Sequence, residues 1–302
     1  MDNEKLIEEI KKQDRAVSAM TKDGNFRIVA IRNTNTAQTA QLKHGLSHIP
    51  AYYLAKHLTA ASLMASFLKG EERMIIESDT NGLISKLYSE AIQVGEIRAY
   101  IDYDDELLSI ESVSDPKILG EGFLKVQKIL YNESEPFTGI VELNYRDIAT
   151  DLAHYYQKSE QIPTEVIIDV VVDDNGLIIH SGGLIVQQMP GASPNENEKM
   201  FNMLRNSRPL AEYFIDNQTP DKIIKNIIPN EVEILKSVRL DFFCRCSKEA
   251  FKQKLILLGS DEIRDMQSNG NNELVCRYCS EKYILEDSDF QAIIEEVNSK
   301  KN

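Results

Sequence analysis

The first 243 residues of this 302-residue sequence contain no cysteine, so no disulfide framework can hold that part of the chain together. Basic residues are short: 34 Lys and Arg stand against 48 Asp and Glu, for a net charge of −14. A nucleic acid or an anionic membrane is bound through clustered positive charge, and a general basic surface of that kind is excluded. No run of eighteen uncharged apolar residues occurs, and the opening segment, Met1 to Arg15, is charged throughout and has no apolar stretch of the kind a secretory signal carries. The expectation is a soluble cytoplasmic protein without a membrane partner. Enzyme signatures are missing as well. There is no Gly-x-x-x-x-Gly-Lys phosphate loop and no Gly-x-Ser-x-Gly elbow. Gly120-Glu-Gly122 and Gly182-Gly183 are too sparse to cradle a dinucleotide and read as a tight turn or close strand packing. The five histidines, His44, His48, His57, His154 and His180, are scattered; His44 and His48 are four apart but lack a His-Glu-x-x-His frame. Glu160, at a helix end, reads as solvated rather than as a general acid. No catalytic residue is assigned.

What is present begins with a hairpin, Arg15 to Met20 and Phe26 to Arg32 joined through Lys22-Asp-Gly-Asn25. A polar helix from Thr34 to Lys43 follows, then an Ala- and Leu-rich helix from Ile49 to Leu68 that is apolar nearly all round and so reads as central and buried. Met74 to Glu77, Glu96 to Tyr103, Gly122 to Ile129 and Phe137 to Leu143 read as strands. Asn144-x-x-Asp147 can cap a helix with Ile148, Leu152, Tyr155 and Tyr156 on one face, and Glu165 to Val172 with Leu177 to Gln188 forms the clearest hairpin, around Asp173-Asp-Asn-Gly176. Residues 1–190 are therefore one α+β core domain. Residues 191–240 read as a helical linker: Ser193 and Glu196 form a capping box, Pro194 and Pro220 sit at first helical positions, and apolar faces around Met200, Phe201, Leu204, Phe214 and Ile224 are too short to make a core of their own. Residues 241–302 form a small α+β module, with helices capped at Ser247, Ser260 and Ser288 and a hairpin between Glu273 and Leu285.

All four cysteines fall in that module, at Cys244, Cys246, Cys276 and Cys279. In Cys244-Arg-Cys246 the thiols lie on one side of an extended strand; Cys276-Arg-Tyr-Cys279 has the spacing at which a tight turn aims two thiolates at one ion. Two such pairs offer four soft anionic ligands and predict one tetrahedral Zn²⁺ per chain, in a module too small to be stable on its core alone. Zinc thiolates are also the oxidisable form of cysteine, so the site can serve either as a permanent staple or as a sensor. A zinc ribbon for DNA or RNA is disfavoured, because residues 241–302 carry nine Lys or Arg against twelve Asp or Glu, a net of −3, and a zinc tetrathiolate adds about −2 more.

An ordered series of motifs makes the chain resemble the 33 kDa chaperonin family of redox-regulated heat-shock chaperones. It comprises His44-Gly-Leu-Ser47, Leu58-Thr-Ala-Ala61, Gly122-Phe-Leu-Lys-Val126, Phe137-Thr-Gly-Ile-Val-Glu-Leu143, Ser159-Glu-Gln-Ile-Pro163 and Gly182-Gly-Leu-Ile-Val-Gln187. Phe243-Cys-Arg-Cys-Ser247 and Val275-Cys-Arg-Tyr-Cys279 complete it, with Tyr283 beyond. The resemblance implies an α+β core, a metastable helical linker lying on it and a zinc switch. It implies further that oxidation releases zinc, forms the disulfides Cys244–Cys246 and Cys276–Cys279, loosens the linker and exposes surface that holds unfolded client proteins without ATP. Oxidised members associate as homodimers. The stretches 79–83 and 128–135 depart from the family pattern. An enzyme carrying a structural zinc module is the competing expectation.

Overall fold

A computed structural model describes residues 13–300; the charged leader up to Lys12 lies outside the described residues. These divide into two compact units, one ending at Phe243 and one beginning at Cys244.

The first unit is built on two sheets. β1 (Arg15–Thr21) and β2 (Phe26–Arg32) form the expected hairpin, and β2 continues into α1 (Thr34–His44) and α2 (His48–Ala65). β3 (Arg73–Thr80), β4 (Ile84–Ile92), β5 (Glu96–Tyr103), β6 (Gly122–Ile129) and β7 (Phe137–Glu142) make an antiparallel sheet in the order β5-β4-β3-β6-β7. After α3 (Ile148–Tyr155), whose N-cap Asp147 accepts from Thr150 N, one wide turn, Tyr156–Glu160, leads into β8 (Thr164–Val172) and β9 (Ile178–Gln188). These two strands join the first hairpin in the order β1-β2-β9-β8. Sixteen of the eighteen residues of α2 are buried, which a helix can tolerate only between two apolar surfaces. It packs on β8 and β9 on one side and on β3, β4 and β5 on the other, joining both sheets in one core.

β2, inside the first sheet, is buried on both faces, so it reads as a near-continuous apolar run rather than an alternating one. In Phe26–Arg32, Val29 and Ile31 point to the core of α2, while Phe26, Ile28 and Ala30 point the other way. That second face is covered by α4 (Pro194–Arg205), α5 (Leu210–Ile215) and α6 (Pro220–Ile227). The capping box of α4 forms as the sequence predicts: Ser193 Oγ accepts from Glu196 N at 3.3 Å and Ser193 N donates to Glu196 Oε2 at 2.8 Å. Met200, Phe201, Leu204, Phe214, Ile223 and Ile224 lie on Val17, Phe26, Ile28 and Leu184.

Several expectations are corrected. Residues 191–240 are not helical throughout: β10 (Val232–Arg239) is an antiparallel strand added to β1, about 200 residues earlier in sequence. Its β-branched Val232, Ile234 and Val238 suit a pleated edge, and its main-chain groups pair with a strand that no local pattern could reveal. β11 (Asp241–Phe242) then pairs parallel with β5, so the boundary between the units falls three residues later than 240/241. β4, absent from the sequence reading, is fixed by pairing on both sides, to β3 and β5. Gly182-Gly183 is close packing: a Cβ on Gly183 would stand 2.9 Å from Thr59 Cγ2 of α2.

The second unit holds α7 (Lys248–Leu255), a single 3-10 turn (Ile256–Leu258), α8 (Ser260–Ser268), a hairpin of β12 (Glu273–Val275) and β13 (Lys282–Ile284), and α9 (Asp287–Lys300). Ser247 caps α7 by accepting from Ala250 N at 3.1 Å. Ser260 instead lies inside α8, after Gly259, and makes no cap. At the start of α9 it is Asp289, not Ser288, whose carboxylate turns back to the chain, accepting from Glu286 N at 2.9 Å. Seven buried apolar residues form the unit's core: Ile256, Ile263, Leu285, Phe290, Ile293, Ile294 and Val297. That is little for an independent fold.

Candidate metal centre

The hairpin of the second unit presents two thiols at its turn. Cys276 follows β12 directly, and its carbonyl accepts from Cys279 N at 3.3 Å and from Ser280 N at 2.7 Å, while Cys276 N donates to Glu281 O at 2.8 Å. Ser280 takes the left-handed conformation, φ 55°, that brings the chain back toward β13. This tight knuckle turns both sulfurs inward, and Cys276 and Cys279 are buried. Cys244 and Cys246 stand on the extended segment ahead of α7, two residues apart and on one side, and are half-buried.

The four sulfurs lie within 4.8 Å of one another. Cys244 Sγ is 3.7 Å from Cys276 Sγ, and Cys246 Sγ is 3.4 Å from Cys279 Sγ. A tetrahedral tetrathiolate site with metal–sulfur bonds of about 2.3 Å has sulfur–sulfur edges of about 3.8 Å. The group is therefore already close to the dimensions of one metal ion, and all four cysteines are free thiols. Among the described residues, this is the cluster of His, Cys, Asp and Glu side chains that could hold a metal.

Tyr283 of β13 closes one side. Its hydroxyl donates to the Cys246 carbonyl at 3.2 Å and lies 3.3 Å from Cys246 Sγ, and its ring packs on Phe251 of α7 with centroids 5.6 Å apart. Burial pushes the Cys244 and Cys279 thiols up; the Cys246 and Cys276 sulfurs add to the rise at Cys244, and the three neighbouring sulfurs to that at Cys279. Cys246 is also opposed by burial, but the Tyr283 hydroxyl and the neighbouring thiols hold it below the usual thiol range. Crowded sulfurs ionise one at a time because each new negative charge resists the next; a divalent cation among them removes that resistance.

The four cysteines named from the sequence are thus brought together, and the other candidates are not. His44 Nε2 lies 3.0 Å from Ala99 O, at the end of α1. Gly45, in the left-handed region, breaks the helix there, so His48 starts α2 rather than sharing a face with His44. His57 is fully buried between Ser89 Oγ at 2.8 Å and Ser78 Oγ at 3.2 Å, His154 lies edge-on to Tyr145, and His180 stacks near Phe214. Glu160 is not simply solvated. It accepts from the Tyr155 hydroxyl at 2.9 Å and pairs with Lys128. In the sequence Tyr283 stands out only as part of a motif; its contact with Cys246 depends on the register of β13 against the knuckle, which spacing alone does not disclose. No described helix is long and apolar enough to cross a membrane.

A family model described as "Hsp33 protein" matches residues 14–286. The 33 kDa chaperonin of Desulforamulus reducens is 35% identical over 95% of this chain and 99% of its own length. That of Bacillus subtilis is 30% identical over 93% of this chain and 98% of its own. Among solved structures, the crystal structure of a 33 kDa chaperonin from Thermotoga maritima superposes with a TM-score of 0.84 at 24% identity, covering 95% of this chain and 99% of that one. At that identity the superposition speaks for the fold.

Proposed function

The chain belongs to the Hsp33 family, and from that membership we propose that it is a redox-regulated, ATP-independent holdase of the cytoplasm, with Cys244, Cys246, Cys276 and Cys279 binding one Zn²⁺ in the reduced state. The observation that carries the reading is the group of four free thiols within 4.8 Å of one another, in a unit with only seven buried apolar residues. A structural zinc supplies roughly 10–16 kcal/mol to a small domain and keeps its thiolate ligands ionised.

The chain's own residues do the rest. Each thiol pair loses two electrons to a peroxide or hypochlorite as one S–S bond forms; with hydrogen peroxide, two protons accompany each reaction and two waters leave. Cys244–Cys246 and Cys276–Cys279 are the proposed disulfides. Either bond removes two ligands, so the unit loses its metal and the stability that goes with it. Across Cys244-Arg-Cys246 an extended chain spans about 6.6 Å between Cα atoms, at the upper limit of about 6.8 Å for a disulfide. Bridging it draws the backbone out of its extended form, and that disturbance begins five residues after the end of β10.

The linker responds because its helices are held by one face alone and its strand, β10, along one edge. Its apolar side chains cover the outer face of the first sheet, while the conformational entropy of some forty residues opposes their docking with a cost of similar size. Released, it uncovers apolar surface for unfolded or partly unfolded client proteins, and oxidised copies associate as a homodimer. The test is light scattering from a thermally unfolding client mixed with the chain. The oxidised, metal-free protein suppresses aggregation and loses that capacity on reduction with zinc. Equal suppression in both states would leave the cysteines as a permanent staple, and none in either would remove the holdase reading.

A further inference from the structure

The edge of the first sheet points to how a client is held. β10 is the outermost strand there and pairs with β1 along its length, from Arg15 opposite Arg239 to Thr21 opposite Val232. Lys22 N adds a bond of 2.8 Å to Glu231 O. Yet β10 contributes little to the core. Most of its side chains are exposed, and the register slips between Ser18 and Ala19, opposite the exposed Leu235. Val232 and Ile234, two apart, rest on the apolar face that Val17 and Ala19 help to form. The strand is therefore held by its main chain and by two alternate apolar side chains, which is how an extended peptide adds to a sheet edge.

β1 differs from its cover. Its side chains are largely buried, and β2 fixes its other edge. If β10 leaves, the main-chain donors and acceptors facing it lose their partners beside an apolar surface, an arrangement that attracts another strand. The link to the cysteines is short and extended. Leu240 N bonds Asp14 O at 3.0 Å, Asp241 N bonds Gly95 O at 2.9 Å and Phe243 N bonds Ile97 O at 2.9 Å, and the next residue is Cys244. The chain passes Gly95 so closely that a Cβ there would stand 1.8 Å from Arg239 O.

We infer that β1 is an acceptor edge masked by β10, and that in the active chaperone an extended client segment takes the place of β10, with alternate apolar side chains where Val232 and Ile234 now lie. This rests on the holdase reading for its biological occasion. Main-chain pairing suits such a task because it reads extension and alternation rather than a particular sequence. A client held only through side chains on the face beneath α4, α5 and α6 is the competing outcome.

Amide hydrogen exchange of residues 15–21 decides between them, with a synthetic peptide of residues 231–239 as the probe. It is measured on the full chain in three states: reduced, oxidised, and reduced with Val232→Asp and Ile234→Asp together, a variant that frees β10 without any redox step. The β1 amides that face β10 are expected to exchange at least about tenfold faster in the last two states. Protection returns with the peptide, and does not return with a version N-methylated at the amides facing β1. Opening and peptide-dependent protection in the double variant alone would support the edge while removing the redox trigger. The inference is overturned if β1 stays protected in both opened states, if the peptide fails to restore protection in either, or if the plain and N-methylated peptides bind equally while β1 goes on exchanging.

Discussion

The phenyl ring of Phe214 lies so close to the backbone of Gly182 that a Cβ at that glycine would stand 2.3 Å from the ring's Cζ. On the opposite face of the same strand, Gly183 admits Thr59 and Leu63 of α2, which a Cβ there would meet at 2.9 and 3.0 Å. The glycine pair thus lets one strand carry the central helix on one side and the linker on the other. The contact at Gly183 belongs to the core that joins both sheets, the contact at Gly182 to the segment proposed to come away.

Phe214 is therefore the anchor whose loss should loosen the linker first. Phe214→Ala removes a fully buried aromatic, a change that costs about 3–5 kcal/mol in a well-packed core. Limited proteolysis of the reduced variant should cut between residues 206 and 231 several-fold faster than the parent, and the reduced variant should already suppress client aggregation. An unchanged cleavage pattern would mean that the linker is held elsewhere.

Much of this arrangement was legible in the sequence, and the failures share a cause. The first hairpin, the central helix, the Asp-Asn-Gly hairpin and the capping box of α4 each announce themselves within a dozen residues, through periodicity, turn chemistry or caps. The cysteine group was legible because C-x-C and C-x-x-C each specify a local geometry that needs only a partner. β4 and β10 carry weak local preference, in Ile-Ser-Lys-Leu-Tyr-Ser-Glu-Ala-Ile and Val-Glu-Ile-Leu-Lys-Ser-Val-Arg; pairing with its neighbours β3 and β5 makes β4 a strand, and pairing with the distant β1 makes β10 one. The N-terminal signals of α8 and α9 differ from the sequence expectation because α8 starts one residue early, after Gly259 and without a side-chain cap, and because Asp289 rather than Ser288 reaches the main chain at the start of α9.

Removing one thiol should take the metal and the second unit together. Cys276→Ser is expected to lower bound zinc to well below one per chain and to collapse the NMR dispersion of residues 244–300, while the first unit keeps its own. A folded, metal-free second unit in this variant would contradict the role given to the metal.

The Tyr283 hydroxyl orients Cys246 and donates to its carbonyl. Tyr283→Phe keeps the ring against Phe251 and loses only that group, so zinc affinity in a chelator competition should fall by about tenfold with little change in thermal stability of the zinc-loaded form. An unaltered affinity would reduce Tyr283 to a packing residue.

His57 supplies a pH dependence of the core. Burial alone lowers its pKa from 6.5 to about 3, so between these values the unfolded chain binds a proton that the folded chain does not. Stability therefore falls as the pH is lowered through that window, with a slope of at most about 1.4 kcal/mol per pH unit from this group. Asp14 and Asp151, raised by burial, act in the opposite sense as the pH approaches the carboxylate range. Urea midpoints at pH 7 and pH 5 should differ more for the parent than for His57→Asn, which lowers the whole curve but flattens it. Equal slopes would show that His57 is charged in the folded state or exposed to solvent.

The most direct measurement follows zinc release, exchange protection of residues 191–239 and client aggregation on one sample during oxidation by hydrogen peroxide at mildly elevated temperature, with reductant and zinc added back at the end. The account predicts that zinc leaves first, linker protection is lost next, aggregation is suppressed in step with that loss, and all three reverse. Zinc released while the linker stays protected, or suppression that begins with zinc still bound, would contradict it.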